Sequence, residues 1–136
     1  MTHVVAKLLI KNIQGQVLLI KRSETDTRRP LQWDIPGGFV EQDEDFVAAA
    51  VREAKEESGL IVNKEACELV YTKTAMTPHG NTAWLFFVTE SNVTDIRLSH
   101  EHVEHTWVTV GEALEMIEYP LHKEVFDYIR QHNLLL

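Results

Sequence analysis

The chain has 136 residues, 44% of them apolar and 25% charged, and carries a formal net charge of −8. That length supports one domain core and is short for two, so a single domain over 1–136 is expected. No apolar run approaches the eighteen or so residues of a membrane span, and the negative balance argues against a duplex nucleic-acid surface, whose affinity comes from neutralised phosphates.

Residues 4–11 and 16–21 are Leu-rich and β-branched runs separated by "NIQG", which reads as a strand pair joined by a turn. The first run has no small-residue cleavage pattern after it, so it reads as a strand and not a signal peptide. The single cysteine, Cys67, cannot close an internal disulfide, and with no export signal the expected compartment is the cytoplasm. Residues 44–58 carry the first long helical pattern, with Asp43 as the expected N-cap and Gly59 as the C-cap. Acidic residues after Asp43 would suit the positive end of the helix dipole. A second strand pair is expected at 68–77 and 82–89 around "PHGN", then a short strand near 105–109. "GEALEMIE" predicts a short helix, and Pro120 opens a last one with Leu121, Val125, Tyr128 and Ile129 on one face. Strands on both sides of a central helix, with a helix at the end, give an α/β fold with a mixed sheet covered on two faces.

The expected helix at 44–58 contains "REAKEESG". At roughly 100° per residue, Phe46, Val47, Ala50, Val51 and Ala54 form its apolar arc, and Glu57 projects inside that arc with Glu53 at its edge and Glu56 further round. A solvated face explains most glutamate-rich helices, but not the position of Glu57. Spacings of i, i+3 and i+4 raise the three carboxylates from one patch, where a pair about 6 Å apart repel by roughly 3 kcal/mol at an effective dielectric near 20. Such a group takes up protons or needs a cation, and oxygen-only ligands favour Mg2+ or Mn2+ over zinc. Just upstream, "WDIPGGFVE" places two glycines where backbone can approach a ligand closely.

Residues 38–60 read Gly38, five residues, Glu44, seven residues, then "REAKEESGL". This resembles the signature of the Nudix hydrolases, with only Ala54 small for its position, and the flanking segments extend the likeness over nearly the whole chain. The resemblance implies an α/β/α sandwich that hydrolyses a phosphoanhydride in a nucleoside diphosphate linked to a further group, with divalent metal, most often Mg2+. Carried over, Glu53, Glu56 and Glu57 match the metal-binding carboxylates and the Gly37 carbonyl an extra ligand. Gly38 lies in the same loop at the substrate, and Arg52 and Glu44 match residues that orient the glutamates. The general base stays open among Glu53, Glu56, Glu101 and Glu104, with Glu101 slightly favoured. Homodimers are common in the family, so a second copy of the chain is an expected partner.

His100, His102 and His105 spell HxHxxH, but no cysteine or further motif supports zinc. Trp33, Phe39 and Trp84 could stack on a base, with Trp33 favoured for the pocket and Trp84 as readily a core residue. Arg22, Arg28, Arg29 and Lys73 are the candidates to meet phosphates, Arg22 first. Met76 stands where ADP-ribose hydrolases of the family tend to have proline, Tyr71 comes too early for the dinucleoside polyphosphate pattern, and no coenzyme A motif is visible. By elimination the leading substrate is a nucleoside triphosphate, cleaved to monophosphate and pyrophosphate. The alternatives are another nucleotide-sugar or dinucleotide pyrophosphatase, or a nucleotide sensor without turnover.

Overall fold

A computed structural model of the protein describes residues 2–135. β1 (Thr2–Lys11) and β2 (Val17–Arg22) form an antiparallel pair, and the short strands β3 (Trp33–Asp34) and β4 (Gly37–Phe39) follow. Next come α1 (Phe46–Ser58), β5 (Glu68–Thr77), β6 (Gly80–Glu90), β7 (His102–Val108), α2 (Val110–Met116) and α3 (Pro120–Gln131). The sheet has seven strands, with β3-β2-β1-β6-β5 as its main order, β4 beside β1, and β7 beside β2. It is mixed because β1 and β6 run parallel over ten residues while the other pairs are antiparallel.

Alternation along the central strands sorts the core into two layers. Val5 and Leu9 of β1 and Val17 and Leu19 of β2 join Val125, Phe126 and Ile129 of α3 on one face. Ala6, Leu8 and Ile10, with Leu18 and Ile20, meet Ala49, Ala50 and Ala54 of α1 on the other. The architecture is therefore the α/β/α sandwich with a mixed sheet. Each fully buried Leu or Ile contributes on the order of 1.5–3 kcal/mol, and both faces of β1 and β2 are supplied with them.

Several boundaries differ from the sequence reading. The N-cap of α1 is Asp45, whose carboxylate accepts the Ala48 N–H, while Asp43 sits in a turn with φ of 62°. The helix starts at Phe46, so Glu44 precedes it and no acid occupies its first turn. The reason is local: Glu44 accepts the Glu41 N–H and both ends of the Arg52 guanidinium, which holds it outside the helix. The Gly59 C-cap is present, with φ of 79° and its N–H donated to the Lys55 carbonyl. β7 begins three residues earlier than expected. Cys67, following a short 3-10 turn, is half-buried.

Candidate active site

β4 lies along β1 in the register Val5↔Phe39, Ala6↔Gly38 and Lys7↔Gly37. The approach is close enough that a Cβ on Gly37 would stand 2.3 Å from the Ala6 carbonyl oxygen, and Gly37 has φ of 147°, which side chains rarely adopt. A Cβ on Gly38 would instead stand 2.6 Å from the carboxyl carbon of Glu53. The double glycine thus lets β4 press against β1 on one side and receive the acidic side of α1 on the other.

Glu57 is 9% exposed and accepts the Gly37 N–H at 2.9 Å. Burial pushes its carboxyl up to about 8, against the pull of Lys7 and the Gly37 amide. Glu53 is raised as well, first by burial, while Arg52 draws it down. Arg52 grips Glu44 with two hydrogen bonds, Nε at 2.7 Å and Nη2 at 3.0 Å, and directs Nη1 to Glu53 at 3.0 Å and Glu56 at 3.4 Å. It also donates to the Phe39 carbonyl at 3.2 Å and stands 3.7 Å from Glu41. Glu44 and Arg52 therefore stand behind the glutamates and fix them.

Beside these glutamates, on β1 to β3, lies a largely buried charge cluster. Asp34 receives Arg22 at 2.7 Å, Lys7 at 3.4 Å and Arg29 at 3.5 Å, and Lys7 also donates to the Ile35 carbonyl at 2.9 Å. Burial pushes the Asp34 carboxyl up, but Lys7, Arg29 and Arg22 outweigh it and hold it well below the ordinary carboxylate range. His122 of α3 brings Nδ1 within 3.3 Å of Asp34, yet burial lowers it to about 3, so this contact is with a neutral ring and is no ion pair. Arg29 lies over the Tyr119 ring at 4.1 Å, tying the loop before β3 to the start of α3.

Residues of both groups line one cavity of about 860 Å³. Glu53, Glu56, Glu57, Gly37, Gly38 and Arg22 all line it, and Glu101 does too. Glu104, opposite Lys21 in the strand pairing, does not. Trp33, expected at the pocket or its rim, is not among the lining residues: paired with Lys21, its ring lies under the Lys21 ammonium at 5.4 Å and packs against the α3-side core. Trp84 and Phe39 line the cavity instead. Arg28 and Arg29 line it as well, whereas Lys73 pairs with Glu124 outside.

Sequence reasoning passed over Lys7, Asp34 and His102 as individual site residues. Lys7 had a signal, a lone charge inside "VVAKLLI"; Asp34 stood unweighed in "WDIPGG". His102 was read only as part of a zinc pattern, and of the three histidines in that pattern His102 alone lines the cavity.

Seven carboxylates line the cavity against four Lys and Arg side chains. The carboxylate donors are oxygens, and burial disfavours the bare charge of Glu53 and Glu57, which raises their affinity for a proton. That chemistry fits a hard divalent cation. Among the described residues no three acidic, His or Cys side chains converge on one point, since Arg52 holds Glu53 and Glu56 while Glu57 turns to the Gly37 amide.

A protein from Methanosarcina mazei described as MutT superposes with a TM-score of 0.84 at 27% identity, covering 97% of this chain and 95% of its own. The asymmetrical bis(5'-nucleosyl)-tetraphosphatase of Caenorhabditis elegans is 30% identical over 66% of this chain and 67% of its own length. The ADP-ribose pyrophosphatase of Methanocaldococcus jannaschii is 29% identical over 88% of this chain and 69% of its own. With the NUDIX domain family matching residues 1–129 in addition, the chain belongs to the Nudix hydrolases.

Proposed function

We propose that the chain hydrolyses a phosphoanhydride in a nucleoside diphosphate derivative, with a nucleoside triphosphate cleaved to monophosphate and pyrophosphate as the leading substrate. The observation that carries this reading is one cavity lined both by carboxylates from α1 and by Lys7, Arg22 and Arg29. Nudix hydrolases generally use divalent metal, and here Glu53, Glu56 and Glu57 would hold it, with the Gly37 carbonyl as a further ligand. A bound Mg2+ or Mn2+ supplies charge neutralisation on the phosphate oxygens and lowers the pKa of water.

The chain's own residues set the rest. Arg52, fixed by Glu44, keeps Glu53 and Glu56 turned toward the cavity. Lys7, Arg22 and Arg29 offer N–H donors to a polyphosphate, and their mutual repulsion is held in check by Asp34. Phe39 and Trp84 present ring surface for the base. Glu101, at the cavity wall, accepts the proton of the attacking water; the new P–O bond forms as the anhydride bond breaks and its electrons leave on pyrophosphate.

A dinucleoside polyphosphate is the second reading. Relatives from Caenorhabditis elegans and mouse carry that activity in their names, at 30% and 32% identity. A second cavity of about 480 Å³ adjoins the first across Trp84, Tyr119, Met76 and Thr77, which would give room to another nucleoside. A Mg2+-dependent assay over nucleoside triphosphates, dinucleoside polyphosphates, ADP-ribose and nucleotide sugars, with products identified by phosphorus NMR, separates these readings. Turnover should fall at least about 100-fold in Glu53→Gln and in Glu57→Gln. Tight nucleotide binding without turnover in either metal would instead identify a sensor.

A further inference from the structure

Strand pairing between β2 and β7 runs in constant register from Val17↔Val108 to Lys21↔Glu104, which would bring Val103 opposite Arg22. The register slips by one residue there, and Arg22 pairs with His102 instead. Val103 is left 54% exposed, while His102 is 9% exposed and lines the cavity. Such a bulge bends a strand and re-aims a side chain, and here it sets His102 across from Arg22, next in the chain to the candidate base Glu101.

The Nδ1 atom of His102 is enclosed and has no hydrogen-bond partner. Burial lowers the ring's pKa, and Lys7 and Arg22 lower it further against Asp34 and Glu101, so the ring is neutral at pH 7. A neutral imidazole has one N–H and one bare nitrogen. An enclosed N–H without an acceptor is the costlier choice, so the proton belongs on Nε2 and Nδ1 is the bare nitrogen.

We propose that His102 donates its Nε2–H to a non-bridging phosphate oxygen of the substrate, beside Arg22 and Lys7. The contact rests on the phosphoanhydride reading for its ligand. A neutral donor here adds directional binding without adding to the positive charge already packed around Asp34. It supplies substrate orientation and leaves proton abstraction to Glu101.

The test uses inorganic pyrophosphate in Mg2+ as probe, with titration calorimetry and long-range proton–nitrogen spectra of the imidazole rings. In the wild-type chain His102 should appear as the Nε2–H tautomer, and its Nε2 resonance should move when pyrophosphate binds. His102→Leu should bind about tenfold or more weakly, the scale of a lost hydrogen bond to a charged group, with Tm held or raised because an orphan nitrogen is removed. His102→Gln, which returns an amide N–H near the Nε2 position, should recover most of the affinity. Unchanged binding by His102→Leu, a still His102 resonance, or a wild-type chain that ignores pyrophosphate would overturn the contact. If the Leu variant fails to fold, the Gln variant and the wild-type spectrum decide. Pyrophosphate binding with a shifted Nε2 but no turnover of any nucleotide would sink the hydrolase reading and leave the contact standing. Turnover with a KM that His102→Leu leaves untouched would do the reverse.

Discussion

Two neighbouring glycines are required for different reasons, and substitution separates them. At Gly37 a Cβ would strike the Ala6 carbonyl oxygen at 2.3 Å and the Lys7 Cα at 2.6 Å, both backbone of the central strand, and the Lys7 Cδ at 2.7 Å. Strands cannot part locally without losing their hydrogen bonds, and φ of 147° adds strain for any side chain. Gly37→Ala is expected to cost about 1–3 kcal/mol of stability, visible as a lowered Tm. At Gly38 the obstructing group is the carboxylate of Glu53, the far end of a side chain that can swing away. Gly38→Ala should therefore keep a Tm close to wild type while turnover falls by about 100-fold, the scale of a 1 Å misplacement. Equal loss of Tm in both variants would contradict the distinction. "PGG" pointed to this loop in the sequence, but not to which glycine serves the fold and which the site, because that depends on strand register.

The elements divide the same way. α1 was legible down to Glu57, because a glutamate inside an apolar arc is visible from periodicity alone, and the structure buries it. Its start was not, since Asp43 and Asp45 are equivalent as cap residues until Arg52 draws Glu44 out of the helix. β7 was read too short for a related reason: a bulge leaves no mark in an alternation of polar residues. α3 was read as a core helix, and nothing in "YPLHKEV" signalled that His122 would be fully buried beside Asp34. That burial predicts a pH effect. The folded ring is held at about 3, whereas an unfolded histidine has an ordinary value near 6.5. Between those values the unfolded chain binds a proton that the folded chain refuses, so stability rises with pH and is fully present only above about 6.5. Replacing His122 with Phe, against Phe86 at 5.9 Å, removes the linkage. Compared between pH 4.5 and 7, the wild-type Tm should climb more steeply than that of His122→Phe, and parallel curves would refute the assignment.

At the scale of the molecule, fold and site draw on different residues. The sandwich is held by apolar layers on both faces of the sheet, a pattern any reader of alternation and helical periodicity can find. The site is assembled from α1, strands β1 to β4, the loop before β3, and the start of β7 with the turn before it, and it depends on side-chain distances that a linear sequence does not contain. This separation sets the outcome of metal removal. With the cation chelated, Glu57 can take up a proton, since burial has raised it to about 8, and the acidic wall no longer repels itself. Chelation should therefore end turnover while the circular dichroism of the fold persists, unlike a structural metal domain, which unfolds. The sign with pH is equally specific. The raised carboxyl contributes stability in full below its ordinary value near 4.5, and that contribution is lost as pH rises through about 8. If Mg2+ binds where proposed, protons and Mg2+ compete for the same oxygens, so the rise in Tm on adding Mg2+ should be larger at pH 8.5 than at pH 6. At a hundredfold excess over Kd the stabilisation reaches about 2.7 kcal/mol, ample for a thermal melt to resolve. A Tm that Mg2+ raises equally at both pH values, or a fold that collapses on chelation, would place the cation somewhere other than against Glu57.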